Sequence, residues 1–142
     1  MSPFSTYLHN LRRRYRMSQK ELAHLMGYEQ GYLSGLEIGR KGPPNEEFVG
    51  KLIDALNLDS EEQVRLHQAV QESQRRYSVP DDAPTEVFRL VHKLWRNMDG
   101  LYPVQIRMIE EVLSLQDEIG NMHAHPGLGG AMRNSQEQEA KM

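Results

Sequence analysis

The sequence predicts an all-α chain, with a helical domain over residues 1–60, a smaller helical region over residues 61–120 and a flexible polar tail over residues 121–142. Two observations carry this expectation. Apolar residues recur at i, i+3 and i+4 along most of the chain, and no run of Val, Ile or Thr alternates with polar residues as a strand would require. Glycines, prolines and capping residues then divide the periodic segments into separate helices.

The first helix reads from Pro3 to Tyr15, with Phe4, Tyr7, Leu8, Leu11 and Tyr15 at helical spacing. Arg12, Arg13, Arg14 and Arg16 crowd its C-terminal end, where positive charge suits the helix dipole. A capping box of Ser18 and Glu21 opens the second helix. Leu22, Ala23, Leu25 and Met26 supply its buried face, and Gly27 ends it in a left-handed conformation. The third helix runs from Gln30 to Ile38, turns Tyr32, Leu33 and Leu36 inward, and stops at Gly39. The basic turn from Arg40 to Pro44 cannot continue a helix. The fourth helix, Asn45 to Leu56, buries Phe48, Val49, Leu52, Ile53 and Leu56.

A second capping box, Ser60 to Gln63, opens a polar helix to Tyr77, with Val64, Leu66, Ala69, Val70 and Tyr77 as its apolar positions. The stretch from Val79 to Pro84 is a break. Thr85 caps a helix through Met98 that carries Val87, Phe88, Val91, Leu94, Trp95 and Met98 on one stripe. Pro103 opens the last helix, which runs to Ile119. Its apolar stripe, with Val104, Met108, Ile109, Val112, Leu113, Leu115 and Ile119, is broad for its length. From Gly120 the chain is rich in Gly, Gln and His, the composition of a mobile tail.

Composition narrows the function classes. With no cysteine, disulfides and thiolate metal sites are excluded. His123 and His125 lack a third metal ligand, so no metal is expected. The run from Gly127 to Gly130 has neither a preceding strand nor a lysine and is no phosphate loop. No set of nucleophile, base and orienting acid is legible, so neither an enzyme nor a cofactor is expected. No stretch approaches the ~18 apolar residues of a membrane span, and the N-terminus lacks a signal peptide, which gives a cytoplasmic expectation and no membrane partner. The net charge of −3 is unevenly divided. Residues 1–41 hold seven Lys/Arg and three acids, net +4; the remainder holds ten and seventeen, net −7. A basic head can approach phosphates while an acidic body repels them.

The segment from Met17 to Gly39 carries the strongest pattern. A short helix ends at a glycine, a tight turn follows, and a second short helix crosses the first. Ala23 lets the two backbones approach, and Leu22, Leu33 and Leu36 lock the crossing. The second helix then projects, narrow enough to enter a major groove about 12 Å wide.

On these residues the chain resembles the Cro/lambda-repressor-like, or XRE, family of helix-turn-helix regulators. The likeness covers Phe4 to Leu58 and includes Gln19, Glu21-Leu22-Ala23, Gly27, Leu33-Ser34, Leu36-Glu37, Gly39 and the proline after the basic turn. It implies a five-helix lambda-repressor-like domain whose partner is double-stranded DNA. It also implies that Gln19 holds a backbone phosphate and that Glu29, Gln30, Gly31 and Tyr32 occupy the exposed first turn of the recognition helix. Ser34 and Gly35 would lie one turn further on, and Arg40 and Lys41 would bind phosphate beside the groove. Side-chain chemistry agrees best at Gln30, whose amide can pair with adenine N6 and N7. Gly31 and Gly35 can read no base edge, and Glu29 could accept only from cytosine N4. Glu37 reads as structural, paired with a first-helix arginine.

One such head makes few contacts, whereas two heads about one helical turn (~34 Å) apart would read a palindrome. The second half is therefore expected to join two copies through Val91, Leu94, Trp95, Met98, Ile109, Val112 and Leu113, as a homodimeric repressor. The other reading is a protein-interaction module of the antitoxin type, whose C-terminal helices bind a partner protein.

Overall fold

A computed structural model describes residues 1–121, and these form seven α-helices and one 3₁₀ turn, with no strand among the described residues. The helices are α1 Pro3–Arg14, α2 Gln19–Met26, α3 Gln30–Glu37, α4 Glu46–Leu56, α5 Ser60–Glu72, α6 Thr85–Asn97 and α7 Pro103–Asn121. The part of the expected tail beyond Asn121, with His123, His125 and the Gly127 to Gly130 run, lies outside the described residues.

The chain divides into two compact units, Met1–Ser78 and a second that begins at Val79. This moves the boundary away from residue 60. The reason is α5, which packs along α1 with Leu66 fully buried and so supplies the fifth helix of the first unit. The core of that unit is assembled from all five helices, with Phe4, Leu8, Leu22, Leu33, Phe48, Leu52 and Leu66 essentially inaccessible. Each such side chain contributes about 1.5–3 kcal/mol through burial. Leu25, expected inside, is exposed instead, as are Val64 and Tyr77 among the apolar positions read for the fifth helix.

Local chemistry sets the helix ends. Ser18 accepts from the backbone N–H of Glu21 at 3.1 Å while the Glu21 carboxylate accepts from that of Ser18 at 2.7 Å, the expected capping box. Gly27 adopts φ +76°, and Tyr28 N–H closes onto the Ala23 carbonyl at 2.9 Å. The cap of α5 falls one residue earlier than the sequence reading. Asp59, not Ser60, accepts from Glu62 N–H at 2.8 Å, and Gln63, which would have completed the Ser60 box, donates its amide to the Leu58 carbonyl at 2.9 Å. α5 also ends at Glu72 rather than Tyr77. Ser73 Oγ turns back to the Ala69 carbonyl at 2.6 Å and accepts from Phe4 N–H at 2.8 Å, tying the end of α5 to the start of α1. Thr85 does not cap α6 but is its first residue, since Pro84 holds the cap position in an extended conformation.

Two buried carboxylates brace the first unit. Glu62 receives the Tyr7 hydroxyl at 2.6 Å and pairs with Arg14 at 2.6 Å, which fixes α5 to α1. Burial raises the Tyr7 pKa, and the Glu62 carboxylate that accepts its proton raises it further. Glu37, at the end of α3, is only 3% exposed. It receives Arg12 Nε at 2.5 Å, Gln19 Nε2 at 2.9 Å and His9 Nδ1 at 3.2 Å, so one side chain joins α1, α2 and α3. Arg12 also donates to the Met17 carbonyl at 2.7 Å, which holds the turn into α2.

Burial pushes the Glu37 pKa up, but the hydrogen bonds from Arg12, Gln19 and His9, with the Arg12 charge, outweigh it and leave a net lowering from 4.5. A lowered carboxylate stabilises the fold fully above its unfolded value, and this contribution is lost as pH falls through the folded one. Glu37→Gln leaves the Arg12 guanidinium half-compensated in the interior. It is expected to cost about 3 kcal/mol in urea unfolding at neutral pH. The difference between the two proteins should begin to shrink below about pH 4.5, where the unfolded chain takes up the proton first, and vanish only below the lowered folded value.

Candidate nucleic-acid interface

α2 and α3 are joined by a turn of three residues and meet through Leu22, Ala23 and Leu33, all buried. The rear of α3 is held by that contact and by Glu37. Its free side follows from 100° per residue. Gln30, Gly31, Ser34 and Ile38 share one face, with Gln30, Gly31 and Ile38 exposed and Ser34 half-buried. Glu29 stands at the N-cap, is exposed, and makes no side-chain capping bond, so the first N–H groups of α3 are left without a side-chain partner.

Two residues expected on this face lie elsewhere. Tyr32 projects from the far side of α3, where its ring packs 5.2 Å from Tyr28 and 5.9 Å from Phe48, centroid to centroid. Burial, and then the neighbouring Tyr28, raises its pKa. This is the inward side that helical spacing gave Tyr32, not the exposed turn that the resemblance implied, and Phe48 of α4 stands against it. Gly35 is buried as well. Its carbonyl accepts from Lys41 N–H at 3.0 Å, and a Cβ there would stand 3.1 Å from the Lys41 Cδ. Glycine at this position admits the lysine stem rather than a duplex.

The cations around the face divide into two groups. Lys20, at the start of α2, and Arg40 and Lys41, after α3, are exposed. Lys41 Nζ rests 5.1 Å over the Tyr32 ring, which aims the stem without neutralising the charge. Arg12 and Arg14, by contrast, are committed to Glu37 and Glu62. Gln19 is half-buried, and one amide hydrogen goes to Glu37. Its amide nitrogen retains a second N–H. Two residues of this region escaped the sequence reading. Ile38 is 51% exposed beside Ser34, and its place eight residues after Gln30 was the available signal. Arg75 donates to the Gly39 carbonyl at 2.5 Å and brings a further cation to the Arg40 turn from beyond α5, which no local pattern announces.

In the second unit, Trp95, Val112 and Leu113 are strongly exposed, Val91, Met98 and Ile109 less so, and Leu94 is half-buried. Among the described residues no group of three or more His, Asp or Glu side chains could hold a metal, and no helix is long and apolar enough to cross a membrane.

A family model described as a helix-turn-helix domain matches residues 3–66. Among solved structures the chain is similar to a SinR protein/SinI protein complex, at 19% identity and a TM-score of 0.40, over 81% of this chain and 98% of that one. No curated protein matches. Residues 3–66, the greater part of the first unit, are thus similar to a helix-turn-helix domain.

Proposed function

We propose that this chain is a non-enzymatic, cytoplasmic transcription regulator that binds double-stranded DNA through α3 and acts as a repressor, as a homodimer on a palindromic operator. The observation that carries this reading is the free face of α3, with Gln30, Ser34 and Ile38 side by side on a helix fixed from behind. Gln30 offers donor and acceptor to adenine, Ser34 can bond to any base edge, and Ile38 suits a thymine methyl group. Lys20, Arg40 and Lys41 flank them and supply sequence-independent attraction to phosphates. The second N–H of Gln19 is placed to reach a phosphate as well. Gly31 contributes no side chain and lets the backbone come close.

Direct readout by so few side chains is modest, so specificity is completed by DNA shape and by the fixed spacing of two heads. The exposed apolar surface of α6 and α7 supports the pairing of two copies. A pair seated on a palindrome excludes other proteins from that stretch, which is the simplest route to repression.

Selection of bound fragments from random duplex DNA tests the reading. A two-fold symmetric consensus is expected, and a reporter behind it should be silenced by the chain. No enrichment at low ionic strength would refute DNA reading by α3. Enrichment without symmetry would refute the dimeric operator.

Gln30→Ala is expected to relax preference at a single base pair of each half-site, at about 1–3 kcal/mol, in competition binding with point-mutated sites. Tyr32→Phe should leave both affinity and preference unchanged. Replacing Arg40 and Lys41 by Ala should weaken all sequences alike and lower the slope of log affinity against log salt by about 2 per head.

A further inference from the structure

α6 and α7 meet near their connecting turn, where Leu90 and Leu94 share a cleft with Leu101, Gln105 and Ile109. That cleft takes one flank of each helix, with Leu94 half-buried and Leu90 still exposed. At 100° per residue, Phe88, Val91 and Trp95 lie on the other flank of α6, and all three are exposed. α7 has 19 residues against 13 for α6, and it carries Met108, Val112, Leu115 and Ile119 along its broader free flank, again exposed.

The two free flanks have edges of opposite charge. Arg89, His92 and Arg96 border Phe88 and Trp95 on α6, whereas Glu111 and Glu118 border the α7 stripe. Arg107 lies further round the helix, behind these acids. All of these charges are exposed, and among the described residues no ion pair joins α6 to α7. The bias extends to whole helices. α6 holds three Lys/Arg and one acid, and α7 holds four acids and one base.

Resting on the dimer reading above, we propose that the occupant of these flanks is a second copy of this chain, docked so that α6 of each copy lies against α7 of the other. Pairing α6 with α6 would bring two basic edges together, and pairing α7 with α7 would oppose two acidic ones; either costs affinity. Crossed pairing covers Trp95 and Phe88 with the partner's α7 stripe and sets Arg89 and Arg96 against the partner's Glu111 and Glu118. A two-fold axis makes the same contact twice. Like-charge repulsion thereby selects one arrangement from several that the apolar surfaces alone would allow.

The test uses two full-length variants, one with Arg89→Glu and Arg96→Glu and the other with Glu111→Lys and Glu118→Lys, followed by sedimentation equilibrium and circular dichroism. Each variant alone is expected to dimerise more than about tenfold more weakly than wild type, because like charges then face each other across the interface. Mixed together, the two should form a 1:1 heterodimer, since every crossed contact is again between opposite charges. A heterodimer supports crossed pairing only together with weakened homodimers of variants that keep their helicity, because α6–α6 and α7–α7 contacts would also be of opposite charge in the mixture. Wild-type dimer strength in either variant, or no heterodimer on mixing, overturns crossed pairing and leaves dimerisation standing. A wild-type chain that stays monomeric while protecting its operator overturns the dimer reading itself.

Discussion

A carboxylate at the wrong end of a helix organises the DNA-facing half of this protein. Glu37 closes α3, where the helix dipole already presents negative charge, and it is sealed from solvent. Left alone it would unsettle the helix it terminates. The Arg12 guanidinium and the Gln19 amide reverse that sign, and in doing so they bind α3 to both helices behind it. The outward face of α3 can then be sparse, because nothing on it is needed for the helix to stay in place. Small side chains there are a consequence of having moved the structural work to the rear.

The same pairing changes how the basic character of the N-terminal segment should be understood. Formal charge counts every arginine equally, yet two of the four near the end of α1 are bound to internal acids and present little field outward. Arg13 and Arg16 stay exposed at the end of α1, beside the free cations at the start of α2 and in the turn after α3. Arg75, anchored at the Gly39 carbonyl, extends that set from the far end of the unit.

Much of this was legible in the sequence wherever the deciding contacts are local. The Ser18–Glu21 box, the left-handed Gly27 and the Pro103 start each follow from a few consecutive residues and appear as expected. Glu37 was also expected to pair with a first-helix arginine, and Arg12 is that residue. Tyr32 lies inward as its spacing suggested, away from the exposed turn that the resemblance implied, and Gly35 is covered by Lys41, which comes from another segment that a period of 3.6 cannot identify. The end of the first unit was misjudged for a similar reason. α5 is polar in composition, and only Leu66, Ala69 and the buried Glu62 attach it, each through α1 or the core.

The Ser73 hydroxyl beneath Phe4 has an implication for how the protein is made. The two residues are 69 positions apart, and Tyr7 and Glu62, the other tie between the same helices, are separated by 55. During synthesis α1 leaves the ribosome first and must wait, its apolar side uncovered, while α2, α3 and α4 emerge. Long-range closure of this kind slows folding relative to neighbouring helix pairs. A nascent chain stalled before α5 would contain all of α2 and α3 and still lack the helix that covers α1. Folding of the first unit is thus coupled to translation past its helix-turn-helix.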